Sequence, residues 1–100
     1  MIEESRRKFK IQEYEYSLHA VDQSVLRHIA RRDVEDAVEC GSVIEDYPSD
    51  KYGPSCLVLG HTRIGRPLHI QCTHPVRDRI KIITVYEPDP EGWIAFKKRS

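Results

Sequence analysis

Leu68-His69-Ile70-Gln71-Cys72-Thr73 alternates apolar and polar side chains, and one short connection later Arg79-Ile80-Lys81-Ile82-Ile83-Thr84-Val85-Tyr86 is rich in Ile and Val. Alternation of this kind marks a strand buried on one face, because a pleat sends successive side chains to opposite sides. Leu68, Ile70 and Cys72 therefore predict an inward face, and His69, Gln71 and Thr73 an outward one. In the second run, Ile83 and Val85 directed at a covering layer put Thr84 and Tyr86 on the outward side, together with Ile80 and Ile82. His69, Gln71, Thr84 and Tyr86 then form one polar patch. A slip of one residue in register would dissolve it.

The segments before these strands supply the rest of the fold. Residues 55–60 (Ser-Cys-Leu-Val-Leu-Gly) are apolar and bounded by breakers, which predicts a central strand, and residues 43–47 predict another. Pro48-Ser49-Asp50-Lys51-Tyr52-Gly53-Pro54 between them is dense in turn formers. Before Gly41 the period is helical. Leu18, Val21, Val25 and Ile29, with Leu26 beside them, form one apolar stripe after the candidate N-cap Ser17. Val34, Ala37 and Val38 form a second stripe, ending at Gly41, a candidate left-handed C-cap. These stripes predict helices over 18–28 and 31–40, joined near 28–30. Tyr14 and Tyr16 alternate with Glu13 and Glu15, and residues 1–13 read as a loose or strand-like lead. Downstream, 87–92 breaks the last strand, and Trp93 and Phe96 pin the tail to the body. The expected fold is α+β: two N-terminal helices packed on one face of a roughly four-stranded antiparallel sheet. A single domain spans 1–100, with its core over about 14–99.

One hundred residues are too few to divide between two cores. A hydrophobic fraction of 39% and a charged fraction of 32% fit a globular chain. No apolar run approaches the ~18 residues that cross a bilayer, and the charged first residues have no apolar segment behind them, so neither a membrane span nor a signal peptide is expected. Three separated cysteines (Cys40, Cys56, Cys72) fit free thiols and a cytoplasmic location better than a disulfide framework. The formal net charge is zero, but the charges are segregated along the chain. Residues 33–50 carry seven acids and no Lys or Arg, whereas 61–81 carry Arg63, Arg66, Arg77, Arg79 and Lys81 against Asp78 alone. Bases and histidines on one stretch are a first pointer to phosphate chemistry.

Within the patch, His69 and Tyr86 are the candidate proton-transfer pair, an imidazole that titrates near neutrality beside a phenol that donates or accepts. Arg66, Arg77, Arg79 and Lys81 would place fixed positive charge around a phosphorane-like transition state. The competing reading is a half-exposed sheet face, polar because water touches it. His19 reads first as a histidine bonded to a backbone carbonyl and second as an additional acid or orienting group. His61, His69, Cys72 and His74 are close in sequence, but His69 and Cys72 point to opposite faces of a strand, so no metal cage closes. There is no phosphate-binding glycine loop and no nucleophile elbow, and Cys56 and Cys72 read as core thiols.

Tyr16-x-x-His19-Ala20, Arg27-His28-Ile29, residues 43–48, residues 53–60, Arg66-Pro67-Leu68-His69 and Ile83-Thr84-Val85-Tyr86-Glu87-Pro88 with Trp93 together resemble the family of domains of unknown function 4258, over about residues 14–99. Members often carry Gly where His28 stands and Ser where Ala30 stands, so the second helix here has a poorer cap. That family is similar to the RelE-like and barnase-like ribonuclease fold of bacterial toxins. The resemblance implies an RNA-cleaving toxin, without metal or cofactor, in which the substrate 2′-hydroxyl attacks the adjacent phosphate. It also implies a small antitoxin protein as partner. His19, His69 and Tyr86 would be catalytic, while Arg66, Lys81, Gln71, Thr84 and Arg77 would hold the substrate. The alternative is a non-catalytic module binding protein or RNA on the same scaffold.

Overall fold

A computed structural model describes residues 2–51, 53–76 and 78–100. The order is α1 (Ile2–Lys10), β1 (Tyr14–Tyr16), α2 (Leu18–Leu26), α3 (Arg31–Cys40), β2 (Ser42–Tyr47), β3 (Ser55–His61), β4 (Pro67–Thr73), β5 (Ile80–Tyr86), β6 (Trp93–Ile94) and β7 (Lys98–Arg99). The main sheet has five strands in the order β1-β5-β4-β3-β2, and it is mixed: β1 runs parallel to β5, and the other neighbours are antiparallel. β6 and β7 form a separate hairpin. The fold is thus α+β as expected, with a third helix and a fifth strand beyond the two-helix, four-strand reading.

The extra helix replaces the loose lead expected over 1–13. Its signals are in the sequence: Glu3 and Glu4 lie in the first turn and Arg7, Lys8 and Lys10 in the last, matching the helix dipole. Ser5, Lys8 and Phe9 lie three and four residues apart on its buried side, with Phe9 stacked on Tyr14 at 4.5 Å.

One face of the sheet is covered by helices. Cys56, Val58, Leu68, Ile70, Cys72, Ile80, Ile82 and Val85 meet Ala20, Ile29, Val34, Ala37 and Val38 in one core. Contact with α3 is close enough to require glycine. A Cβ on Gly60 would lie 1.9 Å from the Ala37 carbonyl oxygen, and one on Gly41 2.7 Å from the same atom. Gly41 has φ −82° and ψ 170°, so its role is this close approach and not the left-handed cap expected for it.

Helix α2 departs furthest from its periodicity. Its buried residue is Ala20, while Leu18 and Val25 are 86% and 71% exposed and Val21 and Leu26 also face water. The small Ala20 lets the helix approach β5, and the larger stripe turns outward. Ser17 is the N-cap as expected: its hydroxyl accepts from Ala20 N–H at 3.0 Å and donates to the Ile83 carbonyl at 2.9 Å. His28, at φ 53°, ends the turn after α2 in a left-handed conformation. Ala30 caps α3 without a side-chain hydrogen bond, its N–H donating to Asp33 at 2.8 Å.

Two bulges set the phase of the sheet. Ile44 is the extra residue between Val43 and Glu45, and Ile83 is the extra residue between Ile82 and Thr84. The second corrects the expected placement of Ile80 and Ile82. Both belong to the helix-covered core with Val85, because the bulge adds one residue and reverses the alternation.

A candidate acid–base site under the C-terminal hairpin

The face turned away from the helices carries the polar patch. His69 lies directly opposite Tyr86 in the β4–β5 ladder, and Gln71 directly opposite Thr84. The His69 and Tyr86 rings meet edge to face at 5.3 Å, with Nδ1 3.1 Å from the phenol oxygen. The bulge at Ile44 adds Glu45, paired with Leu57 in the neighbouring ladder.

This face is covered. His69 is 0% exposed, with the Trp93 ring edge-on to it at 4.4 Å and its Nε2 2.6 Å from the Phe96 carbonyl oxygen. A carbonyl only accepts, so Nε2 carries hydrogen and donates; in the neutral ring Nδ1 then accepts from the Tyr86 hydroxyl. Burial lowers the imidazole pKa from its ordinary value and raises that of the Tyr86 phenol. The site is held neutral, with each ring nitrogen bonded.

The hairpin is tied down by charge. Arg99 donates from Nε and Nη2 to the two Glu45 oxygens at 2.9 and 3.0 Å, and its guanidinium lies 4.8 Å from the Trp93 ring centre. The Arg99 hydrogen bonds hold the Glu45 carboxyl below its usual pKa. The Tyr47 hydroxyl donates to Glu45 as well, and burial, aided by that carboxylate, pushes the phenol pKa up to about 12. Alongside, Tyr47, Pro48, Ser49, Asp50, Gln71 and Arg99 line a cleft of about 530 Å³. The Gln71 amide there donates to Asp50 at 3.4 Å and to the Ser55 hydroxyl at 3.3 Å.

The other residues singled out in the sequence lie elsewhere or are engaged. His19 is exposed on α2, in the helical layer, whereas His69 and Tyr86 lie on the sheet's other face. The Arg66 guanidinium is a clasp: it donates to Glu87, to the His28 carbonyl at 2.9 Å and to the Arg27 carbonyl at 2.6 Å. Lys81 is exposed on β5, its backbone N–H donating to the Thr73 hydroxyl. Arg77 lies outside the described residues. The acidic run is dispersed among internal partners: Glu35 accepts from Tyr14, Glu39 meets Lys10, Glu45 meets Arg99 and Asp46 meets His74. Among the described residues no group of three or more His, Cys, Asp and Glu side chains is arranged to hold a metal ion, and no helix is long and apolar enough to cross a membrane. Glu45 and Arg99 were not singled out in the sequence. Glu45 reaches this face only through the bulge, and Arg99 through a hairpin whose turn has no glycine or asparagine to announce it.

A family model described as a domain of unknown function (DUF4258) matches residues 16–87. No curated protein and no solved structure matches the chain. The matched span is narrower than the 14–99 of the resemblance. It includes α2, α3, β2 to β5 and both His69 and Tyr86, while α1 and the C-terminal hairpin lie outside it. The chain belongs to the family of DUF4258 domains.

Proposed function

We propose that this chain is a metal-independent endoribonuclease, the toxin of a toxin–antitoxin pair, acting in the cytoplasm. The hydrogen bond between His69 Nδ1 and the Tyr86 hydroxyl carries this reading. A histidine held at one nitrogen by a phenol has its other nitrogen, Nε2, available for proton transfer once Phe96 moves away. In the reaction, Nε2 takes the proton of the substrate 2′-hydroxyl while that oxygen attacks the adjacent phosphorus. The P–O5′ bond breaks, a 2′,3′-cyclic phosphate forms, and the imidazolium returns the proton to the departing 5′-oxygen. Tyr86 orients the ring throughout. Exposed Lys81, Lys97 and Lys98 supply positive charge for the phosphates, in place of Arg66 and Arg99, whose guanidiniums are engaged. Kinship with the RelE-like and barnase-like ribonucleases belongs to the same proposal, supported by helices followed by an antiparallel run of strands. An antitoxin as partner rests on the family resemblance.

Incubation with mixed cellular RNA in EDTA tests this. Wild type should yield fragments ending in 2′,3′-cyclic phosphate, and a folded His69→Gln variant should not. Equally intact RNA with both proteins would rule the activity out.

One observation favours a second reading, a non-catalytic module that binds RNA or protein: His69 has no exposed surface and both ring nitrogens are bonded. In that case RNA binding would weaken steeply with salt and persist unchanged in His69→Gln.

A further inference from the structure

We propose that the C-terminal hairpin, residues 92–100, is a displaceable lid, and, resting on His69 as the proton-transfer group, that the Phe96 carbonyl occupies the subsite for a substrate hydroxyl on Nε2. The cover meets His69 through the Trp93 ring and through one polar contact. It places a carbonyl oxygen 2.6 Å from Nε2, within the range a hydrogen-bonded substrate oxygen would adopt.

The hairpin is built to come off. Its strands have two residues each, a length with little stability of its own. Its turn closes through Lys97 N–H donating to the Ile94 carbonyl at 3.0 Å, with Ala95 at φ 52° and Phe96 at φ 61°. Positive φ at two successive residues of this three-residue loop is a conformation that Asn-Gly adopts readily, and Ala-Phe holds it under strain. The charged latch from Arg99 to Glu45 lies largely in water on the Arg99 side, where an ion pair adds little.

Closure has a chemical consequence. While the Phe96 carbonyl is in place, Nε2 must keep its hydrogen and cannot accept a proton. When the carbonyl leaves, the proton can reside on Nδ1 and donate to the Tyr86 oxygen, leaving the Nε2 lone pair free. The Tyr86 hydroxyl donates in the first state and accepts in the second, so it serves both. The lid therefore selects the tautomer as well as blocking access.

Carbethoxylation of the full-length chain by diethyl pyrocarbonate, read residue by residue by mass spectrometry, tests the lid without RNA. Exposed His19 and His61 serve as internal references. His69 should lag them by at least roughly tenfold. Arg99→Ala, at an exposed position, should speed His69 modification by about threefold, within the range of a surface ion pair. Ala95→Asn, which suits a left-handed turn, should slow it by about threefold. His69 reacting as fast as His61, or at one rate in all three proteins, overturns the lid. Expected rates with uncut RNA would remove the ribonuclease reading and leave the lid. Cut RNA with invariant rates would do the reverse.

Discussion

The two faces of the β2–β5 sheet contain residues from the same strands and have opposite construction. Toward the helices, Gly60 and Gly41 bring backbone against backbone, and Leu68, Ile70, Ile80 and Val85 are sealed in an apolar core. Toward the hairpin, His69, Gln71, Thr84 and Tyr86 form a polar row beneath two short strands and an ion pair. Close apolar packing tolerates little change, whereas a polar layer under a light cover can be opened without unfolding what lies below. Stability is concentrated on the first face, and the candidate site lies on the second.

Substitutions on each face should separate the two roles. Gly60→Ala forces a methyl group into the Ala37 backbone and should cost about 3 kcal/mol or more in urea denaturation. A loss below about 1 kcal/mol would mean that α3 shifts easily and that the faces differ less than their contacts imply. His69→Ala removes a buried ring and leaves the Tyr86 hydroxyl without its partner, at a cost of about 2 kcal/mol by the same measurement. The same histidine gives a pH signature. Burial holds its pKa below the unfolded value, so its contribution is fully present above the ordinary imidazole range and is lost as pH falls through it toward the folded pKa. The Tm of wild type should therefore decline on acidification more steeply than that of His69→Gln.

Smaller effects sharpen the contrast further. Ala30→Ser provides the missing side-chain cap of α3 and should add about 1 kcal/mol, seen as a raised Tm. Gln71→Ala, on the polar row, should change stability by less than about 1 kcal/mol, since its two hydrogen bonds are long and half-exposed. Chemical denaturation of that variant beside Gly60→Ala gives the widest contrast between the faces.

The juxtaposition of His69 and Tyr86 was legible because alternation over 68–73 and the last residues of β5 fixes which side chains share a face. The bulges were not legible. Ile44 and Ile83 are β-branched like the residues just before them, Val43 and Ile82, and nothing local marks either as the extra one. That hid Glu45 from the site and placed Ile80 and Ile82 on the wrong side. The stripe of Leu18, Val21 and Val25 misled for another reason: periodicity identifies an apolar face but not what that face touches. Here Ala20 makes the contact. β1 was visible as alternating tyrosines, yet its parallel pairing with β5 depends on a partner more than sixty residues away, beyond the reach of local pattern.

The methyl-free surface of Gly60 leaves no side chain between the last turn of α3 at Ala37 and the C-terminal end of β3. Rotamers cannot absorb displacement at such a junction. A push on β3 reaches the helix as a translation of its whole axis, and Arg31, Glu35 and Glu39 at its surface travel with the strand.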